Sequence, residues 1–173
     1  MSLDTFIVFA NEYDSEADAL ADYEAVRELY SSLGIMDTYD AAVLTRKLDG
    51  KADIVRRVEV PVRQGALRGG LWGLAVGAIA ALFPAVGLAA GLAGGAAAGV
   101  GLGAVAGHVA GGMRRSDLKE LGELLDQGSS GLVVAAAVDM AARVDGAIKH
   151  AKKRAKANLQ SDVDQLKRMI DAA

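Results

Sequence analysis

Between Gly69 and Met113 the chain carries no Asp, Glu, Lys or Arg, and through this run glycine recurs at every fourth residue. Gly65, Gly69, Gly73 and Gly77 form one series, and Gly87, Gly91, Gly95, Gly99, Gly103, Gly107 and Gly111 form a second. Residues four apart share a helix face. The spacing therefore predicts two helices, roughly 65–82 and 85–112, each with a groove of glycine along one side. Phe83-Pro84 separates them, and Pro84 suits a turn or a helix start. Fifteen glycines fall between Gly65 and Gly112. Each costs a helix about 0.8–1 kcal/mol relative to alanine, on the order of 12–15 kcal/mol together. Such helices persist only where close backbone packing fills the grooves, as small-xxx-small repeats do most familiarly in membranes. A flexible linker would be polar and rich in Gly and Ser. This run is Gly, Ala, Leu and Val.

The 45 uncharged residues are enough for two membrane passes of about 20 residues each. Arg63 and Arg68 flank one end, Arg114 and Arg115 the other, and Trp72 sits where an interfacial anchor would. By the positive-inside tendency both termini would be cytoplasmic, which predicts a membrane location, with the cytoplasm as the alternative. The start, MSLDTFIVFANEYDSE, has neither a basic nor a long apolar region, so no signal peptide is expected. The absence of Cys excludes disulfides and thiolate metal sites.

Outside the glycine run the pattern alternates between strand and helix. Asp4 to Ala10 reads as a strand. Ser15 with Asp18 resembles a capping box, and the helix that follows carries Leu20, Tyr23, Val26, Tyr30 and Leu33 at helical spacing up to Gly34. On this reading Glu16, Asp18, Asp22, Glu24 and Glu28 face mostly outward. Strands are expected at 38–48 and 52–62, joined by the hairpin signal Asp49-Gly50. A helix over 116–128 and an apolar strand over 129–138, beginning at two serines, follow, the latter suited to the centre of a sheet. From about Met140 a long amphipathic helix is expected, with Ile148, Ala155, Leu159, Val163, Leu166 and Ile170 as its stripe.

The expected class is α+β. Residues 1–64 and 114–139 would form a ferredoxin-like βαββαβ domain. The glycine-zipper hairpin, 65–113, would be inserted in it, and a basic amphipathic helix, 140–173, would follow. The βαββ head, the every-fourth-glycine hairpin and the segment LGELLDQGSSGLVV together resemble a bacterial family catalogued as domain of unknown function 1269, described as predicted membrane proteins. The resemblance covers about residues 5–140 and implies envelope or membrane association, hence a bacterial inner-membrane location, without implying a reaction. The extended basic tail after Lys149 departs from it.

Signals for chemistry are sparse. His108 lies in the zipper and His150 in the basic stretch, and spacing does not pair them. Ser129-Ser130 lacks the G-x-S-x-G frame of a nucleophile elbow and reads as a turn. The GxGxxG-like triplets fall mid-helix, where no phosphate loop forms. No catalytic residue, metal or cofactor is expected. Lys149, Lys152, Lys153, Arg154 and Lys156 form the main polar feature. With the four arginines that flank the hairpin, they could contact anionic lipid. The plainer reading is a solvated face that pairs with the acidic first half, where residues 1–64 carry 13 acidic and 7 basic side chains. The acidic pI argues against nucleic acid. The functional expectation is a non-enzymatic, self-associating scaffold at the membrane. The alternatives are a soluble homo-oligomeric shell whose hairpins pack without lipid, or a channel-like oligomer.

Overall fold

The structure, a computed structural model, describes residues 4–35, 39–48, 52–57, 86–88, 111–125 and 128–161. In chain order these form β1 (Asp4–Tyr13), α1 (Glu16–Leu33), β2 (Tyr39–Arg46), β3 (Ala52–Arg57), β4 (Val86–Leu88), α2 (Arg115–Leu124), β5 (Ser130–Ala137), a 3-10 turn (Val138–Met140), α3 (Ala141–Ala147) and β6 (Lys153–Ser161). The strands make one sheet in the order β4-β3-β2-β5-β1-β6. Every pairing is antiparallel except the short one between β3 and β4. The class is α+β.

Local chemistry sets the first helix. Ser15 is extended and its hydroxyl accepts from the Asp18 amide at 3.1 Å, while Gly34 closes the helix in the left-handed region at φ 69°. The inward stripe of α1 is Ala19, Asp22, Tyr23, Val26 and Tyr30. It packs on Phe9, Tyr13, Tyr39, Ala41, Val43, Leu132, Val134 and Ala136 from three neighbouring strands, and Val144 and Ile148 close the side of the cluster. The alternate residues of those strands, including Val8, Ala42, Leu44, Val133 and Ala135, are also buried. A sheet apolar on both faces needs cover on both. Leu121 and Leu125, from and just beyond α2, supply part of that second cover.

The strand order differs from the ferredoxin-like plan. There the hairpin strand that follows the second strand slots between the first two. Here β1 and β2 run parallel with β5 between them, and β3 and β5 run parallel with β2 between them. β5 takes the central place because SGLVVAAA has no polar side chain after Ser130 and is buried from Ser130 to Ala136.

The C-terminal helix expected over 140–173 is corrected over its described part. Helix occupies only Ala141–Ala147, and Lys153–Ser161 is a strand paired with β1 from Asp4↔Ser161 to Glu12↔Lys153. Ala155, Ala157 and Leu159 alternate along it, and the last two are buried. That period of two fits the open edge of β1. Pairing with that edge outweighs the helix propensity of Ala and Lys. Residues 162–173 lie outside the described residues.

The zipper arms also lie largely outside the described residues. Two fragments fall inside. Val86–Leu88, expected to open the second helix, is strand, with Ala52↔Val86 and Ile54↔Leu88 in parallel register. Pro84 just upstream favours extended backbone before it and breaks the helical pattern. Gly111 and Gly112 are helical. Among the described residues nothing lies within 4 Å of where a Cβ on Gly111 would be. Gly112, outside the series, is the tight one. A Cβ there would fall on the carbonyl oxygen of Gln160 and lie 2.9 Å from Leu159 Cδ1. Among the described residues no helix is long and apolar enough to cross a membrane.

Candidate functional site

The densest polar cluster among the described residues lies where α1, the end of β1 and the α3–β6 connection meet. Asp22 is at its centre. It belongs to the buried stripe of α1, three residues after Ala19 and four before Val26, and its side chain is 1% exposed. The outward placement expected for it is therefore corrected. A carboxylate this deep needs its oxygens filled. Oδ2 accepts from the Tyr13 hydroxyl at 2.9 Å, the His150 amide at 2.9 Å and the Lys149 amide at 3.1 Å. Oδ1 lies 2.7 Å from His150 Nδ1, which donates when it carries a proton.

These contacts decide the charges. Burial pushes the Asp22 carboxyl up, but the His150 side chain, the His150 and Lys149 amides and Tyr13 together hold it below its ordinary value. The hydrogen bond from His150 to the Asp22 carboxylate, and then that carboxylate's charge, hold the half-exposed imidazole above its ordinary range. Burial, and then the bond and charge of Asp22, push the Tyr13 hydroxyl far up, so it stays a neutral donor.

The basic run continues from this cluster into a ladder of partners. The Lys152 amide donates to the Glu12 carbonyl at 2.7 Å, which starts the β1–β6 pairing. Lys152 Nζ is 3.3 Å from Asp14, Lys153 Nζ is 3.6 Å from Glu12, and Lys156 Nζ is 3.0 Å from Asp145. Arg154 donates to the Ile148 carbonyl at 2.6 Å and to the Asp145 carbonyl at 3.4 Å. Glu12 is itself buried, with Ser129 Oγ at 3.5 Å on its other oxygen. Lys149, Lys152, Lys153, Arg154 and Lys156 thus occupy a connection and an edge strand, not the surface of a helix. Lys152, Lys153 and Lys156 face carboxylates of the same chain.

At the far side of the sheet Arg46 donates from Nη1 to the Leu125 carbonyl, which ties the end of α2 to β2. Ser129 and Ser130 follow Gly128 at φ 83°, with the Gly128 amide on the Arg46 carbonyl at 2.6 Å and the Arg46 amide on the Ser129 carbonyl at 2.9 Å. Ser130 already opens β5, so the turn expected at Ser129-Ser130 falls instead at Gly128-Ser129, where these bonds align β2 with β5. Arg114 lies 3.9 Å from Asp117 at the start of α2, where Arg115 is the first residue. Arg63, Arg68, His108 and the glycines 65–77 and 91–107 lie outside the described residues. Among the described residues no group of His, Cys, Asp and Glu is arranged to hold a metal.

The Tyr13–Asp22–His150 cluster was not visible in sequence spacing, since Asp22 and His150 stand 128 residues apart. One local signal was present. An Asp at i+3 from Ala19 and i−4 from Val26 falls in the helix's own apolar stripe. Comparison with protein-family models, curated proteins and solved structures found no match.

Proposed function

We propose that this chain is a non-enzymatic scaffold that associates with copies of itself, and with membrane, through its glycine-patterned apolar segment. The observation that carries the reading is the 45-residue run from Gly69 to Met113 with no charged side chain. Its glycine spacing favours close helix contact over a linker. The polar cluster supports a structural role for the rest of the domain. Two of the four bonds on Asp22 come from backbone amides, so the carboxylate acts as a tether between α1 and the α3–β6 connection. The basic run contributes mainly to intramolecular pairing, which leaves the apolar segment as the principal means of association.

A second reading has its own support. β4 lies in the middle of the run and pairs with β3. A hairpin that crossed a bilayer would carry this point about 30 Å from the domain. In addition, Arg57 ends β3 while Gly112 abuts β6, four strand spacings away, or about 19 Å. Helices packed side by side stand about 8–10 Å apart. Both facts favour a segment that returns to the sheet, and hence a soluble homo-oligomer whose apolar segments pack without lipid.

The test is fractionation of cells that express the full chain, followed by carbonate extraction and native mass measurement. Retention in the carbonate-washed membrane pellet as a multimer supports the membrane scaffold. A multimer released without detergent supports the soluble assembly. A monomer in either fraction overturns self-association.

A further inference from the structure

We propose that Asp22 and His150 form a pH-set latch that governs how tightly the edge strand β6 docks on β1. Among the described residues β6 has a single strand neighbour, β1, and it follows directly on the connection that Asp22 holds. Three of the four bonds on Asp22 come from Lys149 and His150, three to four residues before β6 begins. Beyond them, the Lys152 amide on the Glu12 carbonyl starts the ladder. Arg154, reaching back to the Ile148 carbonyl at 2.6 Å, closes the connection into a loop. Releasing His150 therefore loosens the connection at the point where β6 starts, while α1 and the centre of the sheet keep their packing.

The charges around the imidazole come from every element that meets there. α1 supplies Asp22 and Asp18, which favour the imidazolium, and the connection supplies Lys149, which opposes it. β1 supplies the neutral Tyr13 on the same carboxylate, and Arg154 of β6 acts on that tyrosine. The Lys152–Asp14 pair lies next along the chain. A neutral imidazole protonated at Nδ1 keeps the hydrogen bond but not the ion pair, so raising the pH loosens the latch without opening it.

The sign follows from the two directions. His150 is raised, so its contribution is complete below its ordinary 6.5 and is lost as pH rises through the higher folded value. Asp22 is lowered, so its contribution is present above its ordinary 3.8 and is lost as pH falls through the lower folded value. The latch is tightest between those two ordinary values.

The experiment is amide hydrogen exchange of the full chain at about pH 6 and about pH 8, corrected for intrinsic exchange rates. Opening of the 153–161 amides is expected to rise roughly three- to tenfold at the higher pH, while β5 amides stay unchanged. His150→Gln, a change at a half-exposed site that leaves the backbone bonds to Asp22 in place, should abolish the difference. An NMR titration of the wild-type imidazole checks the same coupling without a mutant and should find its midpoint above 6.5. Equal β6 protection at the two pH values, persistence of the difference in His150→Gln, or an imidazole midpoint at or below 6.5 would each overturn the latch.

Discussion

Gly112 sits against Gln160 so closely that any Cβ on it would fall on the Gln160 carbonyl oxygen. Its helical neighbour Gly111 has no described residue within 4 Å of where a Cβ would be. Two adjacent glycines thus have opposite reasons to be what they are. Gly112→Ala forces the chain before α2 away from backbone that cannot yield and should cost about 1–3 kcal/mol. Gly111→Ala meets none of the described residues and restricts the unfolded chain, so it should be neutral or stabilising by about 0.4–1 kcal/mol. Urea unfolding of the two variants measures the contrast. Equal effects would mean that the approach of Gly112 to β6 is not made in solution.

The bonds on Asp22 predict unequal losses when its partners are changed. Tyr13→Phe removes one of three donors on Oδ2 and should cost about 1 kcal/mol. Asp22→Asn removes the charge; with its oxygen kept on the three Oδ2 donors, its amide nitrogen meets His150 Nδ1 and is satisfied only by a neutral imidazole that accepts there, so it should cost about 2–4 kcal/mol. Chemical denaturation with unchanged m-values is the check. A loss for Asp22→Asn no greater than that for Tyr13→Phe would contradict its role as the centre of the cluster.

Much of the domain was legible because its signals are local. Ser15 and Gly34 bound α1 where cap chemistry placed them, and the apolar run before Val138 marked the central strand. What failed to show depends on partners far along the chain. Ala155, Ala157 and Leu159 alternate as a strand does, but Ala and Lys also favour helix, and only the free edge of β1 decides between them. The strand order was similarly hidden, because β-α-β-β-α-β is compatible with more than one way of filling the gap between β1 and β2. Asp22 was misread because acidity was taken as exposure. Its buried position becomes favourable only when Tyr13 and His150 arrive.

The four tyrosines of the chain, Tyr13, Tyr23, Tyr30 and Tyr39, are all buried. Tyr30 stacks on Tyr39 with ring centroids 4.0 Å apart. Burial pushes the Tyr30 hydroxyl up to about 12 and raises the other three as well. Because the folded values lie above the ordinary 10.0, the protonated hydroxyls favour the folded state fully below that value, and stability falls as pH rises beyond it. Ultraviolet absorbance should show almost no tyrosinate in the folded protein at about pH 10.5, where model tyrosine is mostly ionised. Its appearance should coincide with loss of far-ultraviolet circular dichroism. A midpoint near 10 in a protein that is still folded would show that the tyrosine cluster is open to solvent.

Replacing Gly91, Gly95 and Gly99 together with Leu separates a packing surface from a linker. Leucine is a much better helix former than glycine, by roughly 0.8 kcal/mol per residue. In a free or linker-like segment the triple variant would therefore gain helix and leave the assembly intact. Where backbones meet across glycine grooves, three isobutyl groups hold the helices apart, and that separation outweighs the gain in propensity. The expected result is a lower native mass or aggregation, read by size-exclusion chromatography with light scattering on the full chain. A control with Leu at Ala90, Ala93 and Ala97, which lie off the every-fourth-residue line, should retain the wild-type mass. If both triple variants keep that mass, the glycine series is not the association surface. If both lose it, the segment packs by bulk volume on all sides and not through a single glycine face.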